Sequence, residues 1–331
     1  MHGPESRARV QERGTIMAVA QTNRPSFAER WWMYQAERFP LGTHFPAILF
    51  FFAAAWFSAQ ALAGKPLQLG LAGGLAFVAT FLTMLLLRVF DEFKDFEDDK
   101  INHPERVVQQ GIVTLPELAR LGAVIGAVMV AANVPLGWQA WVAFAAVIGF
   151  ALLMRMEFFV PEWLKKHIMV YAITHQGIVP LLFVYLAVAA AGSLEAVFPK
   201  FWLAIVVAVG VGLCYELSRK FQAPEDETAT LPTYTKALGP IGASIVAFLC
   251  LTAACSATVG LWTILKLPDW VQYVALAALA TGGAGYGKYV AAPTRANAKI
   301  VKNLASVAIV LVQLGLVAGL VAKFPISWGG L

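Results

Sequence analysis

The chain has 331 residues, of which 59% are hydrophobic and 14% charged, with a net charge of +5. A mean hydropathy of +0.67 excludes an ordinary soluble globular protein, and long apolar runs without two-residue alternation exclude an outer-membrane barrel. What remains is an integral membrane protein made of helices, because a helix satisfies its own backbone polar groups in lipid.

The first 43 residues are polar and Arg-rich and lack the small-residue cleavage pattern of a signal peptide, so they read as a cytoplasmic tail. Within them, ERWWMYQAERFP interleaves Trp31, Trp32, Tyr34 and Phe39 with charges, the composition of a helix lying in the membrane interface. Residues 44–331 read as a single all-α, polytopic domain with a central lipid-accessible cavity. Nine apolar runs supply its spans: 44–63, 68–90, 115–134, 138–156, 166–191, 199–217, 238–265, 270–292 and 298–323.

With the N-terminus inside, 21 of the 25 basic residues fall on the cytoplasmic side, leaving only Lys65, Lys200, Lys266 and Lys323 outside. That bias sets the expected orientation. The positive net charge then reports topology and attraction to anionic membrane lipid, and implies no nucleic-acid partner. Cys214, Cys250 and Cys255 fall inside spans with no metal-ligand spacing, so they read as packing residues. The stretches LAGGLA and TGGAGYG read as places where helices approach closely.

Polar chemistry concentrates in two loops expected on the same side, 91–114 after the second span and 215–236 after the sixth. The first opens DEFKDFEDDKINHPERVVQQG, with seven acids in fifteen residues. If the second span continues as a helix, Asp91, Asp95 and Asp99 share one face, drifting about 40° per step. Stacked carboxylates repel unless something positive lies among them. Lys94, Lys100 and Arg106 are interleaved, so one reading is a solvated, salt-bridged helix end. The other is a cation site, since oxygen-only ligands at this density suit Mg²⁺.

The second loop, YELSRKFQAPEDETATLPTYTKALG, places Glu216 beside Tyr215 at the end of a span. Arg219 and Lys220 lie one turn on, and Glu225, Asp226 and Glu227 follow the helix-ending Pro224. Acid for a metal and base for phosphate are both present, the components of a diphosphate clamp.

These residues resemble the UbiA superfamily of intramembrane prenyltransferases. That family has nine helices, a motif NDxxDxxxD after the second helix and another acidic motif after the sixth. Here Asp91-Glu92-x-x-Asp95-x-x-x-Asp99 stands at the first, with Asp for Asn and Glu for Asp. HPERVVQQGIVT is similar to the family's RxRPLxxGxxT, which brings Arg106, Gly111 and Thr114 into place; PLGT at Pro40–Thr43 resembles PIGT, and Arg155 matches a basic position after the fourth helix. The resemblance covers essentially the whole chain, although only the first motif is specific. The second motif departs: the family's DxxxD laid on APEDE puts Ala223 at the first acid and Glu227 at the second, with Glu216 matching an acid upstream.

The resemblance implies Mg²⁺ held by Asp91, Asp95 and Asp99 and by Glu216 and Glu227, with Lys94, Arg106, Arg219 and Lys220 sharing the charge of a departing diphosphate. The catalytic residues it implies are Asp91, Asp95 and Asp99. The substrates are then a membrane-borne prenyl diphosphate and an unidentified, lipophilic or aromatic acceptor. Phe90 and Tyr215 either face an allylic cation or belong to the interfacial aromatic belt. His175 and Gln176 interrupt the fifth span, either lining the pocket or bonding between helices. Arg155, Glu157, Lys165 and His167 either read a polar acceptor group or serve as topology charges. Two rivals remain: a UbiA-type terpene cyclase, which closes the prenyl chain on itself, and a non-enzymatic transporter. A transporter's charges belong near mid-membrane, whereas these gather at one face. A CDP-alcohol phosphotransferase is excluded because its DG, AR and GxxxDxxxD pattern is missing.

Overall fold

The computed structural model describes residues 25–228 and 232–328. The Arg-rich tail before residue 25 lies outside them. The elements, in order, are α1 (Phe27–Arg38), α2 (Leu41–Leu62), β1 (Leu67–Gln68), α3 (Gly70–Lys94), α4 (Phe96–Asn102), α5 (Leu115–Asn133), α6 (Trp138–Arg155) and α7 (Pro161–Lys166). After these come α8 (Ile168–Gln176), α9 (Ile178–Ala191), α10 (Trp202–Arg219), α11 (Tyr234–Leu265), α12 (Trp270–Ala291), α13 (Arg295–Lys323) and β2 (Ile326–Ser327).

Among the described residues the helices fall on the nine expected spans, α8 and α9 together forming the fifth. The 25 residues of α3 extend about 37 Å, enough to cross a hydrocarbon core of about 30 Å. Eight helical stretches are long and apolar enough to span; α12, with 22 residues, sits on the remaining expected run but its Gly-rich TGGAGYG makes it less apolar. The fifth span breaks at Gly177, directly after the His175-Gln176 pair. Helix α11 kinks at Gly239, whose φ of +71° is left-handed, one residue before Pro240 removes a backbone donor.

The chain falls into two compact units. The first holds the described residues up to His44 together with Leu85–Ile125; the second holds Phe45–Met84 and the described residues from Gly126 onward.

In the first unit, α1 begins with a reciprocal cap: Glu29 N–H donates to Ser26 Oγ at 3.3 Å and Ser26 N–H donates to Glu29 Oε2 at 2.8 Å. Phe27 at 70% and Trp32 at 69% exposed face outward, while Arg30 and Tyr34 are buried. Outward aromatics over inward charge suit an interfacial helix. Arg30 Nη1 donates to Ile112 O at 2.9 Å and to Glu117 Oε1 at 2.8 Å. Val107 N–H donates to the Glu37 carboxylate at 3.3 Å. The loop that α1 grips turns at Gly111, φ +71°, and buries Val107, Val108 and Val113.

In the second unit, α10 to α13 form the densest packing, with α9 against α6. Glycine permits two of the closest approaches. A Cβ at Gly210 would lie 2.6 Å from the Cys250 carbonyl oxygen, and one at Gly282 would lie 2.3 Å from Leu251. This is the small-residue contact expected of membrane helices. Val128, Ile241, Leu249 and Val310 stay exposed on helix surfaces, as hydrocarbon-facing residues do.

Candidate active site

The first acidic motif lies in the first unit. Helix α3 ends at Lys94 and α4 starts at Phe96, so the expected continuous helix breaks at Asp95, whose φ and ψ are −97° and 6°. Two backbone bonds still cross the break at helical spacing, Asp95 N–H to Asp91 O and Asp99 N–H to Asp95 O, both 2.8 Å. The acids then divide into two classes by environment. Glu92 is fully buried, and its Oε1 accepts from Arg38 Nε at 2.6 Å and from Arg88 Nη2 at 2.8 Å and Nε at 3.1 Å. Asp99 pairs with Arg38 Nη2 at 3.3 Å and, closely, with Arg106 Nη1. By contrast, Asp91 and Asp95 are each 39% exposed and share one ammonium, with Lys94 Nζ at 3.2 and 3.9 Å respectively, and Arg88 Nη1 approaches Asp91 only to 3.7 Å.

Tyr34 stands over this cluster from α1. Burial, and then the nearby Glu92 carboxylate, push its phenol well above the usual tyrosine range.

The second motif lies in the second unit. Glu216, near the end of α10, is enclosed by donors: Arg219 Nε and Nη2 at 2.6 Å on Oε2, Lys220 Nζ at 2.9 Å and the Tyr234 hydroxyl at 3.0 Å on Oε1. The Lys220 ammonium also sits 5.4 Å from the Tyr234 ring centre. Glu227 instead accepts from the Thr233 and Thr235 hydroxyls, both at 2.6 Å. Ala223, where the resemblance would place an acid, is fully buried and has no side-chain oxygen to offer. Tyr289 OH donates to Gln222 O at 2.5 Å and Arg295 Nε donates to Asp226 at 2.8 Å, tying this loop to α12 and α13.

His175 lies on α8, which packs against α10 and α11. Its ring stacks on Tyr171 with centroids 3.9 Å apart and planes 11° from parallel, and Phe158 meets it edge-on at 5.8 Å. Nδ1 lies 2.9 Å from Tyr171 O, an acceptor only, so Nδ1 carries a proton, and in the neutral form of the ring Nε2 is the acceptor. Gln176, beside it, packs against Gly212 of α10. Tyr215 and Arg155 are exposed. An apolar cavity of about 580 Å³ between α2 and α3, lined by Leu49, Phe52, Phe77 and Trp328 among others, has no charged side chain in its wall.

A family model for UbiA prenyltransferases matches residues 47–309. The chain belongs to the UbiA prenyltransferase family. It is therefore a prenyltransferase and a multi-pass integral membrane protein, and the family implies a prenyl diphosphate substrate. Two solved structures share the fold. A UbiA homolog from Aeropyrum pernix K1, determined in the apo state, is 18% identical with a TM-score of 0.61, over 82% of this chain and 98% of that one. A structure described for digeranylgeranylglyceryl phosphate synthase in membranes is 15% identical with a TM-score of 0.64, over 89% of this chain and 99% of that one. No curated protein matches the chain by sequence.

UbiA prenyltransferases generally use Mg²⁺, and the donor set here fits a hard divalent cation unevenly. Asp91 and Asp95 fit, as half-exposed carboxylates one turn apart. Asp99 and Glu216 are each already held by two basic side chains at hydrogen-bonding distance, whereas the second cation beside Asp91, Arg88, stays 3.7 Å away. Among the described residues no three His, Cys, Asp or Glu side chains converge as a ready-made metal cluster. Sequence reasoning did not single out Arg38, Arg88, Tyr171 or Tyr234 as site residues of this UbiA protein. The available signal for Arg38 was a basic residue two positions before Pro40, at the end of the interfacial helix.

Proposed function

We propose that this prenyltransferase ionises an allylic prenyl diphosphate in a Mg²⁺-dependent reaction and passes the prenyl group to a small lipophilic or aromatic acceptor. The observation that carries this reading is the pair Asp91 and Asp95, each 39% exposed around Lys94 and touched by arginine only where Arg88 lies 3.7 Å from Asp91, set apart from the buried Glu92 and the less exposed Asp99, which arginines hold more tightly. When bound at Asp91 and Asp95, the cation neutralises diphosphate oxygens and so makes the diphosphate a better leaving group. Lys94 keeps the two carboxylates close in its absence and adds positive charge for phosphate oxygens.

In the second unit, Arg219 and Lys220 supply fixed positive charge of the kind that binds phosphate oxygens, and Glu216 with Tyr234 holds them in place. Glu227, bound only by hydroxyl donors among the described residues, is the acid of this stretch that suits a second cation. His175, with its acceptor nitrogen set by the Tyr171 carbonyl, binds a polar group of the prenyl acceptor. The N-terminus and both acidic stretches face the cytoplasm, the side that carries the Lys and Arg excess.

The test uses purified full-length protein in nanodiscs, with diphosphate release measured from geranyl, farnesyl and geranylgeranyl diphosphate across a Mg²⁺ titration. Asp95→Ala is expected to lower turnover by about 100-fold or more. Retained turnover removes the metal role of this stretch. Product formed without added acceptor identifies a terpene cyclase instead.

A further inference from the structure

Arg38 has no place in the mechanism so far, yet it makes the most enclosed charged contact around the first motif. It ends α1, lies before the family-matched segment 47–309, and its side chain is 7% exposed. One guanidinium reaches two acids: Nε donates to Glu92 Oε1 at 2.6 Å, and Nη2 lies 3.3 Å from Asp99 Oδ2. Glu92 is on α3 and Asp99 on α4, so these contacts straddle the helix break at Asp95. A rigid planar fork can hold two carboxylates at a fixed separation, whereas a lysine ammonium on a flexible stem acts as a point charge.

We infer that Arg38 is a positioning residue for the prenyl-transfer centre: by gripping Glu92 and Asp99 across the Asp95 break, it fixes Asp91 relative to Asp95 for a divalent cation. This rests on the reading of Asp91 and Asp95 as the cation pair. The interfacial helix is thereby part of the active centre as well as a membrane contact. Two carboxylates one turn apart repel, and the helix break at Asp95, the second of them, gives that repulsion a hinge to open. Arg38 closes the hinge from outside, on the acids that flank the pair. Outer residues that orient metal ligands typically change affinity by about 10- to 100-fold when removed.

The experiment measures Mn²⁺ binding alone, by electron paramagnetic resonance titration of full-length protein in nanodiscs without substrate. Arg38→Gln is expected to weaken Mn²⁺ at least tenfold and to raise the Mg²⁺ concentration for half-maximal diphosphate release in parallel. Arg38→Lys, which keeps the charge and guards against a folding failure of the first variant, is expected to remain weakened because it loses the two-acid grip. Arg30→Gln removes a different anchor of α1, to Ile112 O and Glu117, and is expected to lower thermal stability while leaving Mn²⁺ affinity within about twofold.

Mn²⁺ affinity unchanged in Arg38→Gln overturns the inference. So does an equal loss in Arg30→Gln, which would reduce Arg38 to helix docking. Asp91→Asn and Asp95→Asn report on the underlying reading: if both bind Mn²⁺ as the parent does, the cation pair is wrong and the inference falls with it.

Discussion

Replacing Glu92 with Leu separates the stability of the Arg38 network from its function. The Glu92 carboxylate is fully enclosed and receives three N–H groups, one from Arg38 and two from Arg88. Its loss leaves the Arg38 guanidinium, 7% exposed, with its contact to Asp99 at 3.3 Å, while the more exposed Arg88 still has Asp91 at 3.7 Å. Removing one member of a buried pair costs about 3–5 kcal/mol, and the surviving Asp99 contact puts this case near 3 kcal/mol. Replacing both charges, Arg38→Met with Glu92→Leu, removes the stranded charge and is expected to restore most of that loss, since apolar substitutes for a buried pair are often neutral. The assay is a double-mutant cycle of unfolding in detergent, with Mn²⁺ affinity measured on the same samples. Recovered stability without recovered affinity is the expected result. A Glu92→Leu cost below about 1 kcal/mol would refute the account of a tightly desolvated pair.

Three further outcomes follow from other contacts. Gly210→Ala should destabilise by about 1–3 kcal/mol in the same unfolding assay, because the new methyl meets a backbone carbonyl at 2.6 Å and not the end of a flexible side chain. Arg219→Gln with Lys220→Gln should weaken binding of farnesyl diphosphate about tenfold or more, the value of one lost charged hydrogen bond or better, as read by calorimetry; unchanged affinity would leave both as topology charges. Hydrogen bonds from Arg295, against a smaller opposing effect of burial, hold the Asp226 carboxyl below its usual range. A depressed folded value means stability that is present above the unfolded pKa and lost as pH falls through the folded one. In Arg295→Gln the melting temperature should therefore depend less on pH on the acid side than in the parent; identical pH profiles would show that the clasp contributes nothing.

The spans were legible because each is written locally. A run of about twenty apolar residues needs no partner to identify it, and Gly177 and Gly239 interrupt the helices beside the very polar and proline residues that mark those places in the sequence. Helix α3 runs four residues past the expected edge at 90, because charged residues continue a helix readily once they find partners at its end. A helix at Phe27–Arg38 was legible too, from aromatics threaded among charges, but the direction of its faces was not. Phe27 and Trp32 point outward while its arginines have partners inward, 54 residues away for Arg38 and Glu92 and 87 for Arg30 and Glu117.

That separation explains why the acidic motif itself was only half legible. Read locally, the choice lay between a salt-bridged helix end and a cation site, as though seven acids had to share one fate. The fold divides them. Glu92 and Asp99 are neutralised by arginines, one of which arrives from a helix the motif does not contain, whereas Asp91 and Asp95 keep part of their surface open around Lys94, with Arg88 no closer than 3.7 Å to Asp91. Each class requires the other. With no acid neutralised, the stacked charges would drive the α3–α4 junction apart. With every acid buried against arginine, no carboxylate would be left to draw a divalent cation to the membrane surface. The spacing of the acids specifies that a cation could be held there, and the distant arginines decide which acids are left to hold it.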